Sequence, residues 1–167
     1  LGAVLGLVSA SKVSDDIAWI GAYNISNGIE NDTAAFSNGV LFSATSTAQL
    51  NALNTSRYIF LTKQTGYAGT WVNDSHTCTT FASDYAYIEN NRVIDKAIRN
   101  LRSGYLPSLA SPITFNADGT LTDVSVAYFT GIGDQSLDQM VRDAEISAKS
   151  VTISTTQNVL STNKLIV

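Results

Sequence analysis

The residues best suited to chemistry lie in one run, Asn73-Asp74-Ser75-His76-Thr77-Cys78, which holds the chain's single histidine and single cysteine. A hydroxyl, an imidazole, a thiol and a carboxylate are the groups used in nucleophilic catalysis. A catalytic triad, however, is normally assembled from separate segments, so that the base reaches the nucleophile and a third group orients the base. Neighbours on one loop rarely achieve this geometry, and no GxSxG motif is present. We therefore expect a structured loop held by side-chain to backbone hydrogen bonds, in a protein that is not an enzyme.

Metal and phosphate sites are also weakly indicated. Asp74, His76 and Cys78 offer a few metal ligands, but no further ligand joins them, and a lone cysteine cannot form a CxxC site or an intrachain disulfide. Helix capping and surface salt bridges explain the paired acids Asp15-Asp16 and Asp84/Glu89. The glycines form no phosphate loop, and Gly131-Ile132-Gly133 predicts an interruption in a helix. We expect no cofactor and no metal.

The charge pattern argues against a nucleic-acid partner. The net charge is −4 and the pI is about 4.7, whereas nucleic-acid binders usually carry a basic face. The one cationic cluster has the spacing of a solvated helix face and consists of Arg92, Lys96, Arg99 and Arg102. No direct nucleic-acid partner is expected.

Composition indicates a folded chain with an unusually uncharged surface. Hydrophobic residues make up 44% and charged residues 14% of 167 residues, against a usual charged share of about 25%. This excludes intrinsic disorder and suggests that part of the surface contacts something other than water. The apolar stretch 1–10 is too short to span a bilayer, so we expect a buried helix and no membrane partner. The length fits one domain over residues 1–167, interpreted as a fragment of a longer chain.

The first half of the chain predicts alternating short elements. Helices are expected at Leu1–Ser11 and Thr47–Leu53, with an excursion loop over residues 24–45 between them. The apolar runs predict three strands, Ile17–Ala22, Tyr58–Leu61 and Thr70–Val72. Four Asn-x-Ser/Thr sequons begin at Asn24, Asn31, Asn54 and Asn73, and a chain this rich in Ser and Thr has several by chance.

The second half predicts three helices and two strands. The clearest helix runs from Asn90 to Leu101, with Ile94, Ala97 and Ile98 on its apolar face. A helix capped by Thr122 carries Val126 and Phe129, and after the glycines a further helix runs from Asp134 to Glu145. Strands are expected at Val151–Ile153 and Leu160–Val167. The class is α/β or α+β, a small mixed sheet packed against two or three helices, with terminal strands that a neighbouring subunit could augment.

Several of these segments resemble phage contractile tail sheath proteins, in particular the sheath-like proteins of Bacteroidetes phages and contractile injection systems. Residues 84–99, DYAYIENNRVIDKAIR, resemble the start of the long helix of that family. Other segments agree in order: Asp16–Gly21, Tyr58–Leu61, Gly66–Gly69, Asn73–Thr77, Leu109-x-x-Pro112, Asn116–Leu121 and Gln157–Thr162.

The resemblance implies a mechanical function. Such subunits assemble helically around an inner tube and contract to drive it through a target envelope, and they contact copies of themselves, the tube, and baseplate and terminator proteins. It places the protein in a virion tail or an injection particle assembled in the bacterial cytoplasm. Shared backbone pairing between subunits predicts intersubunit contacts at Leu160, Leu165, Ile166 and Val167, and at the outer helix residues Arg92, Lys96 and Arg99.

Two other functions compete with this prediction. The sequons and the Ser, Thr and Asn content suggest an extracellular adhesin, or a carbohydrate- or protein-binding domain that uses the loop 24–45. The run at 73–78 leaves open a hydrolase that uses Ser75, His76 or Cys78.

Overall fold

The computed structural model describes residues 2–27 and 32–167. Within those residues the chain forms five α-helices and one two-stranded sheet, which confirms a small α+β fold. The sheet is antiparallel and pairs Leu61 with Val72, whereas the sequence predicted a mixed one. The elements are α1 Gly2–Ala10, α2 Thr47–Thr55, β1 Leu61–Thr62, β2 Trp71–Val72, α3 Ile88–Tyr105, α4 Asp123–Arg142 and α5 Val159–Thr162.

The chain forms two compact units, an N-terminal unit Leu1–Arg92 and a C-terminal unit Val93–Val167. The core of the N-terminal unit is built from Leu7, Ile17 and Val72. The core of the C-terminal unit is built from four buried side chains on different elements, namely Leu121, Phe129, Ile153 and Val159.

Helices α1 and α2 confirm two predicted helices, but the prediction that the first is buried is wrong, since Leu5 is 61% exposed. Leu7 is the buried residue of α1, and Val4 and Val8 pack beside it at helical spacing. Helix α2 begins with a capping box, in which Ser46 accepts a hydrogen bond from the Gln49 backbone and the Gln49 side chain accepts one from the Ser46 backbone.

Two of the strands predicted in the N-terminal unit are wrong. Residues 17–22 form turns, because Asp16 Oδ1 accepts a hydrogen bond from the Ala18 backbone at 2.8 Å and bends the chain. Trp19 in this run is 58% exposed. Of the run Tyr58–Leu61 only Leu61 is in a strand, since the Asn73 side chain takes the backbone N–H of Phe60 at 2.7 Å. The prediction for Thr70–Val72 is confirmed by β2.

The excursion loop over residues 24–45 has little regular structure where it is described. It contains two short 3-10 turns, Ile25–Asn27 and Phe42–Ala44, and one bridge between Ala35 and Leu41. Asn24 Oδ1 accepts from the backbone N–H of Ser26 at 3.0 Å and of Thr70 at 3.2 Å, which fastens the start of the loop.

Helix α3 confirms the clearest helix of the sequence, but its apolar face is not enclosed. No residue of α3 is fully buried, and Ile98 is 56% exposed. The spacing showed that these apolar side chains share one face, but spacing alone cannot show that another element covers it.

Helix α4 is continuous for 20 residues, so the predicted interruption at Gly131 and Gly133 is wrong. Thr122 caps the helix as predicted, with its side chain accepting from the Ser125 backbone. Gly133 instead allows a close approach, because a Cβ there would lie 2.5 Å from Tyr105 Oη and 2.7 Å from a Val151 methyl carbon. Residues 151–153 are not a strand, although Ile153 is part of the core.

Candidate assembly surface

Residues 158–167 form a short helix followed by a segment without regular structure. Asn158 Oδ1 accepts from the Ser161 backbone at 2.9 Å and starts α5, and Asn163 ends it in the left-handed conformation at φ 51°. The predicted strand Leu160–Val167 is therefore wrong. Asn158 supplies an N-cap, and that cap starts a helix where the apolar pattern alone predicted a strand.

The tight turn at residues 116–119 anchors the base of α5. Asn158 Nδ2 donates to the Asp118 carbonyl at 2.9 Å, and a bridge pairs Thr120 with Asn158. Gly119 has φ 82°, and a Cβ there would lie 2.8 Å from Asn158 Oδ1. Hydrogen bonds from the hydroxyl and the backbone N–H of Thr120 lower the pKa of Asp118. The turn therefore holds α5 in a fixed position on the C-terminal unit.

Fewer hydrogen bonds hold residues 164–167 than hold the base of α5. Ile166 N donates to Gln157 Oε1 at 2.9 Å, and Gln157 Nε2 donates to the Ile166 carbonyl at 3.1 Å. One side-chain amide thus pairs both backbone groups of Ile166, as a neighbouring strand would. Leu165 packs against the core, and no ladder of backbone hydrogen bonds joins residues 164–167 to the rest of the described chain.

The segment 158–167 carries exposed apolar side chains. Leu160 is 60% and Ile166 73% exposed, and Val167 is half exposed. Beside them lies a groove of about 290 Å³, whose lining includes Tyr105, Leu109, Ile113, Phe129, Val159, Leu165 and Val167. The segment therefore forms part of the wall of an open apolar groove.

The apolar surface continues into a second cleft of about 250 Å³, which shares Ile113 and Phe129 with the first. Val124 and Tyr128 line this cleft and are largely exposed. They lie four residues apart and therefore share one face of α4. We call the two clefts, together with the exposed side chains around them, the assembly surface. Exposed apolar side chains grouped in this way are typical of a contact region.

The three cations predicted at intersubunit contacts have different surroundings. Arg92 donates to Ser11 Oγ at 2.6 Å and to the Lys12 carbonyl at 3.0 Å, so it fastens the end of α1 within the N-terminal unit. Lys96 Nζ lies 2.6 Å from Glu145 Oε2. Among the described residues, Arg99 is exposed and has no hydrogen bond or ion pair.

A second ion pair holds the segment that follows α4. Lys149 Nζ donates to Asp138 Oδ1 at 2.5 Å and to the Asp134 carbonyl. The hydrogen bond from Lys149 lowers the pKa of Asp138.

The run at 73–78 is a structural loop and not an assembled catalytic site. Ser75 is fully buried and Cys78 is exposed, and no hydrogen bond joins Ser75 to His76. His76 Nε2 instead lies 3.2 Å from Asp74 Oδ2 and 3.3 Å from Asn54 Oδ1. Within residues 2–27 and 32–167 no group of three or more His, Cys, Asp or Glu side chains is placed to hold a metal.

Three of the four sequon asparagines have structural roles. The Asn73 side chain donates to Asn54 Oδ1 at 2.7 Å and to the Tyr58 carbonyl at 3.1 Å, and Asn24 fastens the excursion loop as described above. Asn31 lies outside the described residues. The sequons of Asn24, Asn54 and Asn73 therefore have a folding role that explains them without glycosylation.

Sequence reasoning found the exposed apolar residues of segment 160–167 but missed the residue that holds it and the cleft beside it. Gln157 gives no local signal, because its partner is the backbone of Ile166. Val124 and Tyr128 did give a signal, since their i, i+4 spacing forms an apolar stripe apart from the core residue Phe129. None of the described helices is both long and apolar enough to cross a membrane.

Comparison with known proteins gives one match. Residues 84–167 match a family described as DUF2586, C-terminal domain. No curated protein and no solved structure matches the chain.

Proposed function

The chain belongs to the DUF2586 family, whose C-terminal domain covers residues 84–167, and we propose that it is a self-assembling structural subunit of a contractile tail sheath. In this role copies of the chain assemble helically around an inner tube and contract to drive the tube through a target envelope. The ordered resemblance to sheath-like proteins supports this proposal, and so does the assembly surface.

One observation carries the proposal: the backbone N–H and carbonyl of Ile166 are both paired by one side chain, that of Gln157, in an exposed apolar segment. A side-chain amide is readily replaced by the backbone of another chain, which offers the same donor and acceptor. The last residues of a second copy would add beside residues 164–167 in this way and link one copy to the next.

The exposed side chains provide the driving force. Burial of a large aliphatic side chain contributes roughly 1.5–3 kcal/mol. Leu160, Ile166 and Val167 are all exposed in the single chain and would become buried in such a contact. In an array this gain is repeated at every subunit, which suits a structure that must stay connected while its subunits move.

Further partners follow from the same proposal. A sheath subunit contacts other copies of itself, an inner tube protein, and baseplate and terminator proteins. It works in a virion tail or an injection particle that is assembled in the bacterial cytoplasm, and it turns over no substrate. On α3, Arg99 is the predicted contact that remains available to a partner.

Charged substitutions in the last residues test the proposal. Ile166→Asp combined with Val167→Asp should leave the purified protein monomeric at concentrations where the unmodified chain forms oligomers, because two carboxylates cannot be buried in an apolar groove. Analytical ultracentrifugation over a concentration series and negative-stain microscopy measure the result.

Thr155→Asp combined with Thr156→Asp is the matched control, since it adds the same charge at exposed positions eleven residues earlier. The control should assemble normally. Gln157→Ala should release the segment and lower the concentration at which oligomers form. Unchanged oligomers from the Ile166/Val167 variant, or an unmodified chain that stays monomeric at every concentration, would contradict the proposal.

A further inference from the structure

A cleft of about 670 Å³ lies between the excursion loop and α2, and its volume is within the range of small-molecule sites. One wall is the turn at residues 36–40, in which Phe36 N donates to the Val40 carbonyl at 2.8 Å and Gly39 N donates to the Phe36 carbonyl at 2.9 Å. The opposite wall is one face of α2 and consists of Gln49, Ala52, Leu53 and Ser56. Both walls are therefore held by backbone hydrogen bonds.

Two side-chain amides in the lining have their oxygen atoms engaged and their nitrogen atoms free. Val40 N donates to Asn38 Oδ1 at 3.0 Å, and Ser46 N donates to Gln49 Oε1 at 3.1 Å. A backbone N–H can only donate, so the oxygen of each amide must face it and the NH₂ group must face away. Neither NH₂ group has an acceptor among the described residues. The cleft therefore holds two donors whose orientation the backbone fixes in advance.

The rest of the lining defines what class of ligand fits. Among the residues described, no charged side chain lines the cleft, and apolar groups such as Phe36 and Leu53 alternate with the hydroxyls of Ser37 and Ser56. An ionic ligand would lose its hydration there without gaining a counter-charge. A wholly apolar ligand would cover the amide donors and leave them unpaired. A fitting ligand is therefore uncharged and carries oxygen atoms on an apolar frame.

A second hollow of about 580 Å³ adjoins the cleft and adds aromatic side chains. It shares Phe36, Ser37 and Leu53 with the cleft. The ring centres of Phe36 and Phe60 lie 5.7 Å apart, and Tyr58, which is 61% exposed, also lines the hollow. Aromatic rings offer apolar faces against which the C–H groups of a ligand can pack.

We propose that the cleft and the adjoining hollow bind a neutral oligosaccharide. The hydroxyl oxygens of one sugar ring accept from the amides of Asn38 and Gln49, and its hydroxyl hydrogens donate to Ser37. The C–H groups of that ring pack on Phe36, and the next ring extends toward Tyr58. All of these residues lie within the N-terminal unit, so saccharide binding does not depend on the proposed sheath function.

Saturation-transfer NMR and isothermal titration calorimetry on the full chain test the proposal with three neutral trisaccharides, maltotriose, cellotriose and chitotriose. At least one of them should bind saturably, with a Kd of about 1 mM or tighter. The corresponding monosaccharide should bind roughly tenfold more weakly, because it leaves the second hollow empty.

Two single substitutions remove the donors and little else. In Asn38→Asp and in Gln49→Glu the carboxylate keeps the oxygen that accepts from the backbone, and a glutamate at position 49 still completes the capping box. Each variant should bind the trisaccharide about three- to tenfold more weakly, because one hydrogen bond is lost. Asn51→Asp makes the same change of charge at an exposed position of α2 outside the lining and should bind as the unmodified chain does.

Three results would overturn the proposal. The first is the absence of saturable binding by any of the three trisaccharides up to ~10 mM. The second is an affinity that is unchanged in both cleft variants, or that falls equally in Asn51→Asp. The third is a neutral peptide, acetylated and amidated trialanine, that binds as tightly as the best trisaccharide, which would assign the cleft to a peptide ligand instead.

Discussion

Each of the two units is stabilised internally by a different kind of contact. Among the described residues of the N-terminal unit, regular structure is confined to two short helices, two two-residue strands, two 3-10 turns and the first turn of α3, and polar side chains hold the irregular backbone in place. In the C-terminal unit, α4 and the segments packed on it surround an apolar core.

Arg57 shows how the N-terminal unit works. Its Nε donates to the Thr77 carbonyl at 2.8 Å, its Nη2 donates to the Ala86 carbonyl, and its guanidinium lies 4.3 Å from the centre of the Phe81 ring. One side chain thus closes the whole loop between residues 77 and 86. Asn24, Asn73 and Arg92 do the same for other segments.

The C-terminal unit combines its apolar core with exposed apolar side chains. Its core residue Phe129 is buried, yet Val124 and Ile166 remain exposed on the same unit. The N-terminal unit also exposes apolar side chains, such as Trp19 and Tyr58, so the two units differ in what fixes their backbone and not in whether they expose apolar surface.

The largest effect is expected at Arg57. Arg57→Ala should destabilise the N-terminal unit by roughly 3 kcal/mol, because two charge-assisted hydrogen bonds and a ring contact are lost together. Both tryptophans, Trp19 and Trp71, lie in this unit, so urea unfolding followed by tryptophan fluorescence reports on it selectively. Lys12→Ala, at an exposed cation of the same unit, should change stability by less than about 0.5 kcal/mol. Equal effects from the two substitutions would show that the contacts of Arg57 do not stabilise the N-terminal unit.

A matched pair of glycines on α4 tests packing in the C-terminal unit. Gly133→Ala should destabilise it by about 1–3 kcal/mol, because the new methyl group overlaps Tyr105 and Val151. Gly131→Ala has no atom within 4 Å of the new methyl group and should stabilise the helix by up to about 1 kcal/mol. Circular dichroism at 222 nm during urea unfolding measures both changes. The same sign for both would show that α4 is not packed as described.

The smallest effect is expected at the ion pair of Asp138 and Lys149. Because Lys149 lowers the pKa of Asp138, the pair stabilises the fold above the unfolded value, 3.8, and this contribution is lost as the pH falls through the folded value. Asp138→Asn should therefore lower the melting temperature slightly at pH 7, and this difference should shrink as the pH falls below 3.8. In a Lys149→Met background the substitution should have no pH-dependent effect, and a persistent one would assign it to another group.

The sequence predicted the elements that depend on local signals. Helical spacing and a capping residue are both visible in neighbouring residues, and α2, α3 and the start of α4 at Thr122 were found in this way. Local signals also misled. Asp16 and Asn158 each direct their own backbone into a turn or a helix, and they override the β-like character of the apolar residues that follow.

The remaining errors come from contacts between distant residues. Gly133 was interpreted as an interruption because the close approach of Val151 cannot be seen from the helix itself. Arg92 and Lys96 were assigned to one exposed face, whereas Ser11 lies 81 positions and Glu145 lies 49 positions away along the chain. For the assembly surface, the sequence predicted the apolar segment 160–167. It did not predict the groove beside that segment or the hydrogen bonds from Gln157 to the Ile166 backbone.

The loop fastened by Asn24 also has an evolutionary consequence. Gly69 has φ 147°, and a Cβ there would lie 2.4 Å from Asn24 Nδ2. A larger residue at position 69 would displace the amide that holds the backbone of Thr70, so Gly69 can be replaced only where Asn24 is replaced as well. Among relatives that share this loop, position 69 should lose its glycine only where position 24 is no longer asparagine, and this covariation would mark which of them keep the same backbone path.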